Sequence, residues 1–217
     1  MRTDWIPLSA SALVVGAMAL VFGSLLNPAE SGSTAAQTLQ VVQEDGARWI
    51  AMAVMFFFAS VALTLGLPSV LVLLQRRGRV LGLVAVAVFA IGSIGTAGYA
   101  MLMVFFRAMV TAGAVTSAHA LDDVTSDKGL AVFLTGWIGC FYGGILLLAI
   151  TFFVARVVPR WVPALLLLFV ALAPFASEMG RVGVAVQVLA MAVAFTGIAM
   201  AAVTGDTQRS LTTQPAF

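Results

Sequence analysis

Six stretches of this chain, 5–26, 49–74, 80–106, 129–155, 161–177 and 182–204, contain no Asp, Glu, Lys, Arg or His. A helix rises about 1.5 Å per residue, so roughly 20 residues reach across the ~30 Å hydrocarbon core of a bilayer. Charged residues make up 9% of the 217 residues and hydrophobic ones 62%, whereas soluble domains carry about 25% charged residues. A chain with so little polar surface has lipid as its solvent. The expected fold is an all-α integral membrane protein. Six transmembrane helices form a single bundle of antiparallel hairpins over residues 1–204, followed by a polar tail, 205–217.

The first stretch has a competing reading as a secretory leader. The apolar region of a leader is about 7–15 residues long and ends at a small-x-small site. Residues 5–26 exceed that length, and Leu25-Leu26-Asn27-Pro28 is a poor cleavage context. The stretch is therefore read as a retained span. The fifth, of 17 residues, is marginal in length. Pro68 inside the second and Pro174 near the end of the fifth are expected to kink or end their helices.

Small residues recur at helical spacing. Ser9, Ala12, Gly16, Ala19 and Gly23 share one face of the first span, and Gly183, Gln187, Ala190, Ala194, Gly197 and Ala201 one face of the sixth. The third carries Gly92, Gly95 and Gly98. The fourth carries Gly139-x-x-x-Gly143 beside Gly136 and Cys140. Small residues let helix backbones approach in lipid. These faces are expected to pack inward or against another subunit, with the glycines of spans three and four facing each other.

The two long loops, 27–48 and 107–128, are polar. Ser33 is a candidate cap for a short helix with Ala35, Leu39 and Val42 on one side, closed by Asp45-Gly46. The third span is expected to run on toward Leu121 before the acidic loop. An offset of 80 carries Arg48 onto Lys128 and Arg76 onto Arg156, the outline of a repeated hairpin with little residue identity.

Intramembrane chemistry has few candidates. A charge at a helix centre costs about 2.5–3.5 kcal/mol on insertion scales and is kept mainly for function. No span here holds one. Gln187 is the most polar side chain inside a span and is read as a bond between helices. One cysteine and one histidine leave no spacing for zinc, a bis-histidine haem or a redox pair. Gly-x-Ser-x-Gly, His-Glu-x-x-His and Cys-x-x-Cys are absent. No catalytic residue, metal or cofactor is expected. Ionisable groups gather only in the loops, where Arg107, His119, Asp122, Asp123, Glu178 and Arg181 are the candidate binding residues.

The expected partners are the bilayer and another membrane protein or a second copy; the small net charge, +2, gives no reason to expect nucleic acid. Three functions follow in order: an accessory or assembly component acting through helix packing and loops; a small transporter or channel for an uncharged or lipid-like solute; and an enzyme using His119, Asp122 and Asp123. The bias toward Arg, Ala, Val and Gly matches GC-rich bacterial codons.

Loops and ends alternate between two sides. One side has Arg2, Arg76, Arg77, Arg79, Arg156, Arg160 and Arg209 against Asp4 and Asp206, a net +5. The other has Arg48, Arg107, Lys128 and Arg181 against seven acidic residues, a net −3. Lys and Arg accumulate on the cytoplasmic side of membrane proteins. Both termini are thus expected in the cytoplasm, at the plasma membrane, with both long loops outside. An alkaline phosphatase reporter fused after Phe217 should be inactive and one in the 27–48 loop active; the reverse pattern would refute this orientation.

Overall fold

The computed structural model describes residues 5–29, 34–75, 78–115, 117–176 and 178–212, with the backbone alone at 118, 120, 123, 125 and 206–212. The regular elements of this part are all helices. They are α1 Trp5–Leu26, α2 Ala35–Glu44, α3 Gly46–Leu74, α4 Arg79–Thr111, α5 Ala118–Thr125, α6 Lys128–Ala155, α7 Trp161–Ala176 and α8 Gly180–Thr212. Five of them (α1, α3, α4, α6 and α8) are long and apolar enough to cross a membrane, while α7 has 16 residues. Large side chains such as Phe57, Leu65, Phe105, Val132 and Met200 stand exposed on their outer faces, as a lipid solvent allows. These are the marks of a helical membrane protein.

Several boundaries differ from the sequence expectation. Thr34 caps α2: its hydroxyl accepts from Gln37 N–H, and the Gln37 side chain accepts from Thr34 N–H at 2.8 Å. Ser33 lies outside the described residues. Asp45 alone separates α2 from α3, so the second long helix starts at Gly46 rather than Trp49. Leu39 and Val42 bury the inner face of α2. The third long helix stops at Thr111, where Gly113 takes a left-handed φ of 71°, a conformation that suits a residue with no Cβ. The acidic loop is itself partly helical, as α5. Pro68 and Pro174 stay within their helices, and α8 continues to Thr212.

α1 packs on α3 and α8, α3 on α4, α4 on α6, and α7 on α6 and α8. Glycine sets the closest approaches. A Cβ at Gly66 would stand 2.7 Å from Leu13 Cα, and one at Gly16 would stand 2.7 Å from Leu63 N, so α1 and α3 meet backbone to backbone. Gly23 accepts the Phe56 ring, and Gly197 accepts Trp161 and Val162. Numbering rises along α1 as it falls along α3, from the Ser9–Leu65 pair to the Arg48–Leu25 pair. The core then fills with Leu13, Leu63, Phe89, Phe152, Met191 and Phe195.

α4 and α6 do not meet glycine to glycine. Gly92 lies on the α6 backbone at Cys140 and Phe141, and Gly95 receives the Trp137 ring. On the other side Gly144 lies on Phe89. Gly136, Gly139 and Gly143 have no atom within 4 Å of where a Cβ would stand. Spacing alone marks a face as small, but α6 has small residues on two faces, and the one bearing Gly144 is turned to α4.

A hydroxyl of α1 reaches the backbone of α3 just after Pro68. Ser9 Oγ accepts from Ser69 N–H at 3.1 Å and donates to Leu65 C=O at 2.8 Å. The hydroxyl of α1 thus bonds the two backbone groups that a helix pairs with each other. In lipid no water replaces it. Ser9→Ala should lower unfolding free energy by about 1–2 kcal/mol, read by denaturant titration in micelles. A change below roughly 0.3 kcal/mol would mean this hydroxyl is of no consequence.

A candidate cavity at the loop end of the bundle

α2, α5 and the turn before α8 mark one end of the bundle. The described ionisable residues there lie on several elements. His119 and Asp122 are exposed on α5, three residues apart and so on one face of that helix. The Asp123 side chain lies outside the described part. Arg107 lies against Gly46, whose hypothetical Cβ would be 2.6 Å from Nε, and that Nε is buried with no hydrogen-bond partner. Glu178 and Arg181 are both exposed. Arg181 lines a small groove of about 50 Å³ with Asn27 and Ala29, whereas Asp122 lines a different cleft. Among the described residues no group of three His, Cys, Asp or Glu is placed to hold a metal.

Asp122 belongs to a partly open cleft of about 590 Å³ under α2 and α5. Its walls are chiefly apolar, with Trp49, Met103, Phe106, Met109 and Leu121 among them, and with Thr38 and Asp122 as polar members. Trp49 is fixed there by its indole N–H, which donates to Met103 C=O at 3.0 Å. Phe106 stands beside it, with ring centroids 6.0 Å apart. Tyr99 forms part of the floor.

Tyr99 also lines a second cavity, of about 380 Å³, inside the bundle. All six apolar helices contribute to its wall: Ser24 from α1, Phe56 from α3, Thr96 from α4, Trp137 and Tyr142 from α6, Phe169 from α7, and Gln187 and Met191 from α8. No Asp, Glu, Lys, Arg or His is among its described lining residues. Trp137 is nine residues past the start of α6, about 14 Å along the helix, while Ser24 is two residues from the end of α1.

Each wall is positioned by a local cause. Gly95 makes room for Trp137. The Trp137 indole N–H donates to Thr96 Oγ at 3.1 Å, and Thr96 in turn donates to Gly92 C=O. Tyr99 then stacks on Trp137, with centroids 4.8 Å apart and planes 20° apart. Across the cavity, Tyr142 stacks on Phe169 at 5.2 Å and 14°. Gln187 ties three helices together: its Nε2 donates to Phe169 C=O at 3.0 Å and to Tyr142 Oη at 3.4 Å. The sequence reading had picked Gln187 as a helix-to-helix bond and missed Tyr99, Trp137, Tyr142 and Phe169. Aromatic residues on separate spans at similar distances from the loop end were the available signal.

What the arrangement offers is hydrogen bonds and aromatic faces in a partly open cavity with no charged group among its described lining residues. No protein-family model, curated protein or solved structure matches the chain. Thr96→Val should leave the Trp137 N–H unpaired and cost about 1–3 kcal/mol of stability, with a changed near-ultraviolet circular dichroism from the released indole. An unchanged spectrum and stability would show that Thr96 does not hold the ring.

Proposed function

We propose that this protein takes up an uncharged, lipid-like solute at its loop end and holds it inside a six-span bundle, as a small transporter or carrier does. The observation that carries this is the pair of clefts that share Tyr99 as a lining residue, the inner one with no charged group among its described lining residues. An apolar solute needs no counter-charge and loses little by leaving lipid for such a cavity. In this reading α7 is the sixth crossing, neighbouring spans are antiparallel, and the arginine turn at 75–79 faces the cytoplasm of the cell. Arg107 and Asp122 then sit at the mouth rather than in the path.

A second reading, an accessory or assembly component, draws on one further observation: the uncovered face of Gly136, Gly139 and Gly143, where a partner helix could approach closely. A partner on that face would leave the cavity in place.

Protein in lipid nanodiscs should be photolabelled with an uncharged diacylglycerol carrying a diazirine in its chain, and the adducts mapped by peptide mass spectrometry. Adducts are expected on the segments bearing Tyr99, Trp137–Tyr142 and Phe169, and should fall at least fivefold in Val188→Trp, which fills the cavity. Adducts confined to lipid-facing residues such as Leu83 and Ile91 would contradict the proposal.

A further inference from the structure

The interior cavity has a chemical character more specific than apolarity, and this inference rests on its being a solute site. We infer that it receives a flat, uncharged ring bearing hydrogen-bond acceptors, the head of a prenylated quinone, with the hydrocarbon tail leaving between α6 and α7.

Flatness comes from the walls. Tyr99 on Trp137 and Tyr142 on Phe169 are two stacked pairs, and Phe141 stands edge-on to both Tyr142 and Phe169, at 81° and 66°. Ring faces and edges gain most from another ring laid offset or edge-on to them. A saturated chain would use the same area without that directional gain.

The demand for acceptors comes from proton bookkeeping at the phenols. A carbonyl can only accept, so the Phe169 C=O fixes which end of the Gln187 amide faces it. That NH₂ group also donates to Tyr142 Oη. Tyr142 oxygen is therefore used as an acceptor, and its own proton remains to be donated. Tyr99 Oη makes no hydrogen bond to another described residue. Tyr99 and Tyr142 both line this cavity, Tyr99 lining the outer cleft as well, and no charged group is among its described lining residues. A neutral ligand that presents oxygen acceptors satisfies both phenols; a hydroxyl oxygen accepts too, and Gln187 Oε1 is a further acceptor in the same cavity, so what favours carbonyls here is their place on a flat ring that the aromatic walls receive. The two carbonyls of a quinone ring are of this kind.

Size and exit agree. About 380 Å³ lies within the range of small-ligand pockets, roughly 300–1,000 Å³, which is room for a ring head but not for a long tail as well. Toward the loop end α6 has no buried residue before Gly144. Ile138, a lining residue, is 44% exposed, and Gly139 has nothing beside it. A tail leaving there would pass directly into lipid.

The test is competition for the diazirine adduct on the Trp137–Tyr142 segment, in nanodiscs, by menadione and by 2-methylnaphthalene, which has the same ring skeleton without carbonyls. Menadione should compete at least fivefold more effectively. Tyr99→Phe and Tyr142→Phe should each weaken menadione by about 2- to 12-fold and leave 2-methylnaphthalene unchanged. Equal adduct yield without competitor shows that the variants are folded. Equal competition by the two compounds, or Phe variants that leave menadione unaffected, would overturn the quinone assignment while the lipid-like solute reading stands. A cavity segment that takes no adduct even without competitor would overturn both.

Discussion

Helices in lipid gain nothing from hiding apolar surface from one another, so a bundle of this composition depends on close backbone approach and on hydrogen bonds between helices. α3 shows both at once. Gly66 and Gly16 bring α1 and α3 into backbone contact, and only at that distance can Ser9 reach the α3 backbone at Leu65 and Ser69. On the opposite side Ser60 donates to Ser93 C=O of α4, and Trp49 donates to Met103 C=O. The remaining helices are added to a pair that is already fixed.

The cavity follows from the same rule applied unevenly. Near the arginine turns, α6 is locked into the core by Gly144, Ile145, Leu148, Ala149 and Phe152. Nearer the loops its contact with α4 is made by large rings seated on glycines. There α4 and α6 still approach closely, with Gly92 on the backbone at Cys140 and Phe141, while the Trp137 ring seats on Gly95. Gln187 then bridges the gap that remains between α6, α7 and α8. The space is thus built by directed contacts, which is why its polar atoms have defined partners and defined unused valences.

Much of the architecture was legible because charge and length are strong signals: the long helices fall on the uncharged stretches, and the small-residue faces of α1 and α8 are buried. The short α5 was not, since eight residues with mixed polarity give too little period to read. Glycine spacing on α6 did not tell which glycine meets α4, which is Gly144, because it reports small size and not which neighbour is present. The cavity was hidden for a related reason. Trp137 and Tyr142 are 41 and 45 residues from their hydrogen-bond partners, and no local pattern links them. Only Gln187 stood out, as a polar side chain in an apolar helix. The residues Arg107, His119 and Asp122 attract attention because they are chemically conspicuous; His119 and Asp122 share one face of α5, while Arg107 lies on α4 against Gly46.

Native mass spectrometry of the protein released from nanodiscs tests the central claim most directly. A solute held inside the bundle should survive release as one neutral adduct per chain, and Met191→Trp, which occupies the cavity, should abolish it without lowering the melting temperature by more than a few degrees. A wild-type protein released with no neutral adduct, or a filled variant that keeps the same adduct, would show that the space walled by the six apolar helices is a feature of packing and not a site.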